Sequence, residues 1–515
     1  MKSKLTRCIA LLLCSLMMLG AFAACGQGST EQPTQPDGNG QAAGSKVKEE
    51  LIIAMSGDVK SLDPMKNWQT NAYFSYWSIY ERLFYKNPAT NEYEPELAKS
   101  WDIAPDGSSY TFYLQEGVKW HDGSPFTAKD VKYTVERAIE LGTGNYPGVA
   151  SAEIIDDYTI KINMTAPDSV FMDKQWTGDC CVVKDGTDEE LALTPIGTGP
   201  FKFAEWVSGD HITLEAFDGY WREQSGTKRV TFRIMPEANA RVLALQAGDV
   251  DIAMLDAATA AQVTADANLQ LLSATGNTVN YLGFNCTRAP FDNELVRKAI
   301  GYAIDKDAIV AAQLDGHGVA VRSFVGQGQN GYYDGFDHFT YDPAKAKELL
   351  AQAGYPNGFE TSVVHSASGW GLASQLIQAN LAEIGITAKI EPMESAAYSE
   401  YTKNGNADMF IGSRGGGSAD SYLMMLDKES VGAQGNVFFY ANDEYDEMLT
   451  QSHLTVDNDA RNEIYRKMQE HINEHTPMVP LYSPILFVGA QKNVKDVIVN
   501  INGAHDFRNA YAIVD

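Results

Sequence analysis

The clearest alternation of hydrophobic and polar positions lies at residues 109–114. Tyr110, Phe112 and Leu114 fall on one face of this stretch, and a period of two is typical of a half-buried β-strand. The same alternation recurs at residues 158–164. Both stretches are therefore predicted to be strands.

A turn and a helix are predicted directly after the first of these strands. The sequence His-Asp-Gly-Ser-Pro at 121–125 combines Asp-Gly with a proline, which is typical of turns. Thr127 precedes Asp130 by three residues, a short-acid variant of the capping box that starts a helix. The predicted helix then carries one apolar stripe, formed by Val131, Val135, Ala138 and Ile139.

Strand and helix patterns alternate through much of the remaining chain. Residues 230–235, 238–247 and 248–253 predict a strand, a helix and a second strand. Further on, a helix is predicted to start at Asp342-Pro343, and another at 372–384 leads into a strand at 386–390. This alternation is typical of an α/β protein.

Two long blocks of sequence carry a family resemblance. Residues 101–131 read W-x-x-x-x-D-G-x-x-Y-T-F-x-L-x-x-G-V-K-W-H-D-G-x-P-x-T-A-x-D-V, and a second block runs from Asn285 through Pro290-Phe291 to Lys306. Both resemble blocks of the family 5 extracytoplasmic solute-binding proteins, the receptor subunits of ABC importers for peptides, nickel and related solutes. Because no nucleophile accompanies His121-Asp122, that pair is interpreted as part of a turn and not as catalytic.

The resemblance implies an α/β, two-lobed fold of the type II periplasmic-binding-protein kind, with an extra subdomain inserted in the first lobe. It implies hinges near residues 284 and 484, and closure of the lobes over a solute without covalent chemistry. The expected ranges are 49–90, 193–284 and 484–515 for lobe I, 91–192 for the inserted subdomain, and 285–483 for lobe II.

The first 24 residues are typical of a signal peptide. Lys2, Lys4 and Arg7 precede an apolar run at 8–19, which is too short to span a membrane. Ala23-Ala24-Cys25 resembles a lipobox, which would make Cys25 the lipidated start of the mature chain, although Phe22 departs from the usual leucine and leaves ordinary cleavage open. Residues 25–48 are rich in Gly, Gln, Ser and Pro and are predicted to be a flexible tether. The expected location is extracytoplasmic, with a lipid anchor in the cell membrane.

Charge and cysteine content narrow the function classes. The 515 residues carry a net charge of −27, which argues against nucleic-acid binding because phosphates require a basic surface. After loss of the signal peptide and lipidation of Cys25, Cys180, Cys181 and Cys286 remain. An odd number without metal-binding spacing favours buried small hydrophobic residues, although a pair with Cys286 stays open.

The segment 410–423 is the most informative for the ligand. A predicted strand ends there in a glycine-rich loop, where backbone can approach a small molecule closely. Peptide-binding relatives place an acid in this loop, whereas this chain has Gly416, with Asp420 further on and the cation Arg414 before it. The aromatic candidates for ligand contact are Tyr73, Trp370, Tyr398 and Tyr422.

These residues do not identify the solute. A peptide is the commonest ligand of the family, but neither of its usual charged anchors is evident here, so a non-peptide anion or a metal chelate is the alternative. The resemblance implies permease and ATPase subunits as partners and a monomeric receptor, with neither cofactor nor metal. A receptor that feeds a signalling system is a further possibility.

One motif favours an enzyme instead. His471, Glu474 and His475 satisfy the H-x-x-E-H pattern of some zinc hydrolases and fall on one face of a predicted helix. No third ligand presents itself nearby in sequence. Packed or solvated histidines are therefore expected, and zinc hydrolysis is the rival hypothesis.

Overall fold

One long strand, Met478–Gln491, joins the two halves of the main sheet. The computed structural model describes residues 46–514 except 88–89, 144–145, 175–179, 337–338 and 433–434. The signal peptide, Cys25 and most of the tether therefore lie outside the described residues.

The described strands follow one another along the whole chain. In chain order they are β1 (Lys46–Val47), β2 (Glu50–Met55), β3 (Phe84–Lys86), β4 (Tyr93–Pro95), β5 (Ala98–Ile103), β6 (Ser109–Leu114), β7 (Val149–Asp156), β8 (Thr159–Met164), β9 (Phe201–Val207), β10 (His211–Ala216), β11 (Arg229–Ile234), β12 (Ile252–Leu255), β13 (Leu269–Thr275), β14 (Val279–Phe284), β15 (Gly318–Ala320), β16 (Glu360–Ser366), β17 (Thr387–Met393), β18 (Met409–Arg414), β19 (Met478–Gln491), β20 (Val494–Lys495) and β21 (Tyr511–Val514).

Helices are interspersed among these strands. The α-helices are α1 (Thr70–Ile79), α2 (Ala128–Leu141), α3 (Phe171–Lys174), α4 (Ala238–Ala247), α5 (Ala257–Thr264), α6 (Glu294–Ala303), α7 (Lys306–Gln313), α8 (Pro343–Gln352), α9 (Gly371–Glu383), α10 (Ser395–Lys403), α11 (Ala419–Leu423), α12 (Asp443–Leu454) and α13 (Asn458–His475). Short 3-10 turns occupy Glu190–Ala192, Met424–Leu426 and Lys428–Ser430.

The two ends of β19 pair with different strands of the main sheet. Its order is β17-β16-β18-β14-β19-β12-β2-β11-β10-β9, with β13 and β15 also paired to β19. Met478–Tyr482 pairs with β14, whereas Ile485–Gln491 pairs with β13. The chain thus passes between the two halves at 276–278 and again near 483–485.

A separate four-stranded sheet lies between β4 and β9 in sequence. Its order is β5-β6-β8-β7, and helix α2 packs against it. The predicted capping box of this helix is confirmed, since the Thr127 side chain accepts from the backbone of Lys129 and Asp130 bonds back to the Thr127 amide. The alternating strand at 109–114 is also confirmed, with Tyr110, Phe112 and Leu114 buried.

Apolar side chains form separate cores on the two sides of β19. The first contains residues from β2, α1 and the four-stranded sheet, such as Ile53, Trp77 and Phe112. Two further clusters lie mainly among the elements from β14 to β19, with Phe284 in one and Tyr422 in the other, and Val170 joins the second. Cys181 is buried in the first core and Cys180 is also buried, as predicted, while Cys286 is partly buried.

Some predicted boundaries shift in the structure. The strand expected at 248–253 begins only at Ile252, because Gly248 ends helix α4 with a φ of 79°. Such a left-handed backbone angle favours glycine. None of the helices in the described residues is both long enough and apolar enough to cross a membrane.

Candidate functional site

A cavity of about 570 Å³ opens at the ends of β16 and β18 in the second half of the sheet. This volume falls in the range of sites that hold small ligands. Its lining combines aromatic, thioether and polar side chains with one guanidinium. The lining residues are Tyr281, Ser366, Trp370, Tyr398, Ser399, Thr402, Lys403, Ile411, Gly412, Ser413, Arg414, Met424, Met425, Asp427, Ser430, Gly435 and Val437.

Arg414 is the last residue of β18, and its guanidinium faces this cavity. Its Nε donates to the carbonyl oxygen of Ser421 at 2.8 Å, which fixes the side chain. No carboxylate of the described residues forms an ion pair with Arg414, and burial lowers the pKa of its guanidinium. Because a partly desolvated cation without a counter-ion is unfavourable, this group is suited to receive an anion.

Contacts to backbone atoms hold the loop after Arg414 in place. Gly416 accepts a bond of 2.7 Å from Asn277 Nδ2, and a Cβ on Gly416 would lie only 2.3 Å from the Cβ of Ser421. Tyr422 is fully buried, and its hydroxyl donates to the carbonyl oxygen of Asn277 at 2.5 Å. Gly416 and Tyr422 thus set the shape of the loop but lie outside the cavity lining.

Aromatic and thioether side chains also line the cavity. Trp370 caps the start of α9, and Tyr398 lies on α10 with its hydroxyl donating to the carbonyl oxygen of Ile411 at 2.8 Å. Met424 and Met425 follow the glycine-rich loop. The aromatic rings and flexible thioethers suit ligands of varied shape.

Acidic groups near the cavity are already bonded within the protein. Asp420 is buried on α11, with its Oδ1 2.6 Å from Nε2 of His453, and does not line the cavity. Asp427 does line it, and its Oδ1 accepts from the backbone of Glu429 at 3.0 Å. The charged side chains that line the cavity are therefore Arg414, Lys403 and Asp427, two cations and one anion.

Three of the predicted ligand residues meet at this cavity, namely Trp370, Tyr398 and Arg414. Tyr73 lies on α1, where its ring packs against Tyr76 and Trp77 at centroid distances of 5.9 and 6.4 Å. Sequence reasoning missed Tyr281 and the Met424-Met425 pair. The methionines directly follow the segment singled out for ligand binding, so their position was a usable signal.

The comparisons with known proteins agree with this arrangement. A family model described as bacterial extracellular solute-binding proteins, family 5 (middle), matches residues 92–434.

The chain belongs to this family. It is 32% identical to heme-binding protein A of Haemophilus influenzae over 460 residues, which covers 82% of this chain and 84% of the relative. It is 29% identical to the dipeptide-binding protein of Escherichia coli K12, over 91% and 95% of the two chains.

Solved structures of family 5 relatives share the fold. HbpA2 from Haemophilus parasuis superposes with a TM-score of 0.84 at 27% identity, covering 90% of this chain and 99% of that one. DppA from Helicobacter pylori in complex with peptide STSA gives 0.73 at 30% identity, covering 90% and 98%. The predicted two-lobed α/β fold is thereby confirmed.

Family membership also decides between binding and catalysis. Family 5 proteins are extracytoplasmic binding proteins of ABC importers and not enzymes.

In the structure, Nε2 of the buried His471 lies 2.7 Å from the Tyr440 hydroxyl, and Nδ1 of His475 lies 2.6 Å from Glu294 Oε1. Glu474 is exposed, and the described part of the chain holds no group of three His, Cys, Asp or Glu side chains placed to bind a metal. The zinc-hydrolase hypothesis is therefore wrong.

Proposed function

We propose that this chain is the lipid-anchored substrate-binding subunit of an ABC importer, and that its solute is a peptide held through an anionic group at Arg414. The observation that carries this proposal is the cavity of about 570 Å³ with a guanidinium that no described carboxylate neutralises. The dipeptide-binding and glutathione-binding relatives and the peptide complex of a solved relative support it.

Arg414 suits a carboxylate because a guanidinium can donate two parallel hydrogen bonds to it. Trp370 and Tyr398 offer ring faces, and Met424 and Met425 offer polarisable surface for side chains of the solute. A non-peptide anion is the second candidate, since Asp420 of the loop is bonded to His453 and does not line the cavity, and one relative is a heme-binding protein.

Hinge closure is the proposed mode of capture. We propose lobes at 49–90, 193–284 and 484–515 and at 285–483, with the subdomain 91–192 inserted in the first. The strand pairing supports crossings at 276–278 and 483–485, a few residues before the predicted 284 in the first case. The closed form would present the surface that the permease receives, and a monomer suffices for this.

The anchor is proposed at Cys25. A diacylglyceryl group there, with the tether at 25–48, would hold the receptor at the outer face of the cell membrane or on its periplasmic side. Metabolic labelling with a clickable fatty acid tests this: wild-type chain should carry label and partition with membranes. The Cys25→Ala variant should carry none, and equal labelling of the two would refute the anchor.

A thermal-shift screen tests the solute. Di- to hexapeptides, glutathione, amino-acid conjugates, sugars, metal chelates and heme are compared on the mature chain, because a ligand that binds only the native state raises its melting temperature. At least one peptide is expected to stabilise the protein. If peptides of every length fail while an anionic non-peptide succeeds, the second candidate replaces the first.

A further inference from the structure

A buried lysine from the other half of the molecule reaches the glycine-rich loop between β18 and α11, residues 415–418, which we call the ligand loop. Lys86 ends β3, and its side chain is only 4% exposed. Its Nζ donates to the carbonyl oxygen of Gly417 at 3.1 Å, three residues after Arg414. It also donates to Oδ1 of Asp173 at 2.9 Å. We call Lys86, Asp173 and Gly417 the lysine bridge.

Asp173 fixes the lysine from a third segment of the chain. It lies on α3 and is 1% exposed, and the Tyr93 hydroxyl also donates to its Oδ1. Its Oδ2 lies 3.7 Å from Nη2 of Arg461 on α13. A charge buried this deeply is stable only when its partners stay in place, so breaking one contact disturbs the others.

Residues close to the lysine bridge in sequence also contact the half of the protein that carries the cavity. The backbone amide of Ser169 donates to the carbonyl oxygen of His453 at 2.7 Å, and the Ser169 hydroxyl donates to Ser452. Val170 belongs to the same buried cluster as Tyr422. Ser169 and Val170, just before Asp173, therefore pack against the half of the protein that carries the cavity.

The ligand loop itself has few means to hold its shape. Gly415, Gly416 and Gly417 supply no side chains, and glycine backbone is the most flexible of all residues. The carbonyl oxygens of Gly416 and Gly417 are held from outside the loop, by Asn277 and by Lys86. These two contacts hold the backbone between Arg414 at the end of β18 and Ser421, whose carbonyl oxygen Arg414 bonds.

We propose that Lys86 is a positioning residue for the ligand loop, so that the lysine bridge links the contact between the two halves to the orientation of Arg414. The inference rests on the proposed function only in assigning Arg414 to the ligand. The contact between Lys86 and the loop is testable without any solute.

Hydrogen exchange on the ligand-free mature chain tests this role. Lys86→Met should speed exchange in the segment 414–423 about tenfold, because local opening of a segment follows the loss of its own contacts. Lys306→Met is the matched control, since Lys306 Nζ donates to the carbonyl oxygen of Val321 at 3.1 Å within one half of the protein. The control should leave 414–423 unchanged.

Labelling with phenylglyoxal gives a second readout that a general loss of stability would not reproduce. Arg414 should be modified several-fold faster in Lys86→Met, while the buried Arg297 keeps its wild-type rate. Lys86→Arg should restore much of the protection. If Lys86→Met fails to fold, Asp173→Asn removes the anchor of the lysine and should give the same pattern.

Two results would overturn the proposal. One is exchange in 414–423 at the wild-type rate in a folded Lys86→Met or Asp173→Asn protein. The other is faster exchange and labelling throughout the chain, which would make Lys86 a purely structural residue. Neither result bears on whether the cavity binds a peptide, which the solute screen decides.

Discussion

Arg82 and Arg508 of the first half and the partly buried Arg414 of the second half have different surroundings. Arg82 and Arg508 share the carboxylate of Glu96, with contacts of 3.1 and 2.7 Å, and Arg508 also bonds Asp506 at 2.7 Å. Arg414 bonds only a backbone carbonyl, and no acid of the described residues pairs with it. Arg82 and Arg508 are thus neutralised within the first half, whereas Arg414 lines a cavity of the second half.

The two kinds of arginine are expected to affect different properties of the protein. A buried ion pair with complete hydrogen bonding is disrupted by removal of either partner, so its residues act on stability. A partly desolvated cation without an ionic partner lowers the stability of the ligand-free protein. Binding of an external anion offsets this cost. Arginines of the first kind are expected to change unfolding, and Arg414 is expected to change binding.

The largest expected effect is on the paired side. Glu96→Gln should lower the free energy of unfolding by about 3–5 kcal/mol, because the buried guanidinium groups of Arg82 and Arg508 both lose their ion pair with Glu96, although Arg508 keeps Asp506. Urea unfolding measures this. Glu215→Gln is the control, since its pair with Arg229 is about half exposed and should contribute less than about 1 kcal/mol. Equal effects of the two variants would contradict the contrast.

A neighbouring carboxyl should make the first half sensitive to pH. Burial raises the pKa of Glu81 from 4.5 to about 7, and the nearby charge of Glu96 adds to this. The native state then binds a proton that the unfolded chain releases, so stability is lost as pH rises from about 4.5 to about 7.

Glu81→Gln should remove this loss, which is roughly 3 kcal/mol between those limits. Chemical unfolding of both proteins at several pH values measures the difference. Glu223→Gln, a change at an exposed position nearby, should leave the wild-type slope. A Glu81→Gln protein that keeps the full decline would show that the pH dependence arises elsewhere.

Next in size is the effect at the cavity. Arg414→Gln should weaken a carboxylate-bearing solute by about 10- to 100-fold, since a hydrogen bond to a charged group contributes about 1.5–3 kcal/mol. Its free energy of unfolding should change by less than about 1 kcal/mol, because the variant loses the hydrogen bond from Arg414 Nε to the Ser421 carbonyl but also removes a partly desolvated charge. Calorimetric titration with the solute and with its amide measures the affinity, and urea unfolding measures the stability.

The control for this variant is Arg288→Gln. Arg288 lies in the same half but is partly exposed and paired with Asp408 at 2.8 Å. It should bind the solute as the wild type does. If Arg414→Gln binds the carboxylate and the amide with unchanged affinities, the cavity does not use its cation.

Much of the fold was predictable because local patterns and the tertiary structure agree. The alternation at 109–114 and the cap at Thr127 appear as predicted, since one face of each element meets a core. The exchange of partners along β19 was not predictable, because pairing between distant strands leaves no local pattern.

The site was predictable only in part. Arg414, Trp370 and Tyr398, predicted as candidates, all line the cavity, and the glycine-rich loop after a strand is a signal that the local sequence carries. Tyr281 was missed because its neighbours come from distant segments, and Asp420 looks available in sequence but is buried against His453. Pairing partners, which decide whether a charge is free for a ligand, are set by tertiary contacts.

The smallest expected effect concerns Tyr398, which combines features of both regions. Its hydroxyl is bonded to the carbonyl oxygen of Ile411, while its ring faces the cavity. Tyr398→Phe should lower the free energy of unfolding by about 1 kcal/mol, because one neutral hydrogen bond is lost.

Solute affinity should stay within about twofold in Tyr398→Phe, since the ring that contacts the ligand is retained. Tyr398→Ala, which removes the ring, should weaken binding further. Calorimetric titration and urea unfolding on the same preparations separate the two effects. A large loss of affinity in Tyr398→Phe would mean that the hydroxyl leaves Ile411 to bond the solute, so that a paired group also serves binding.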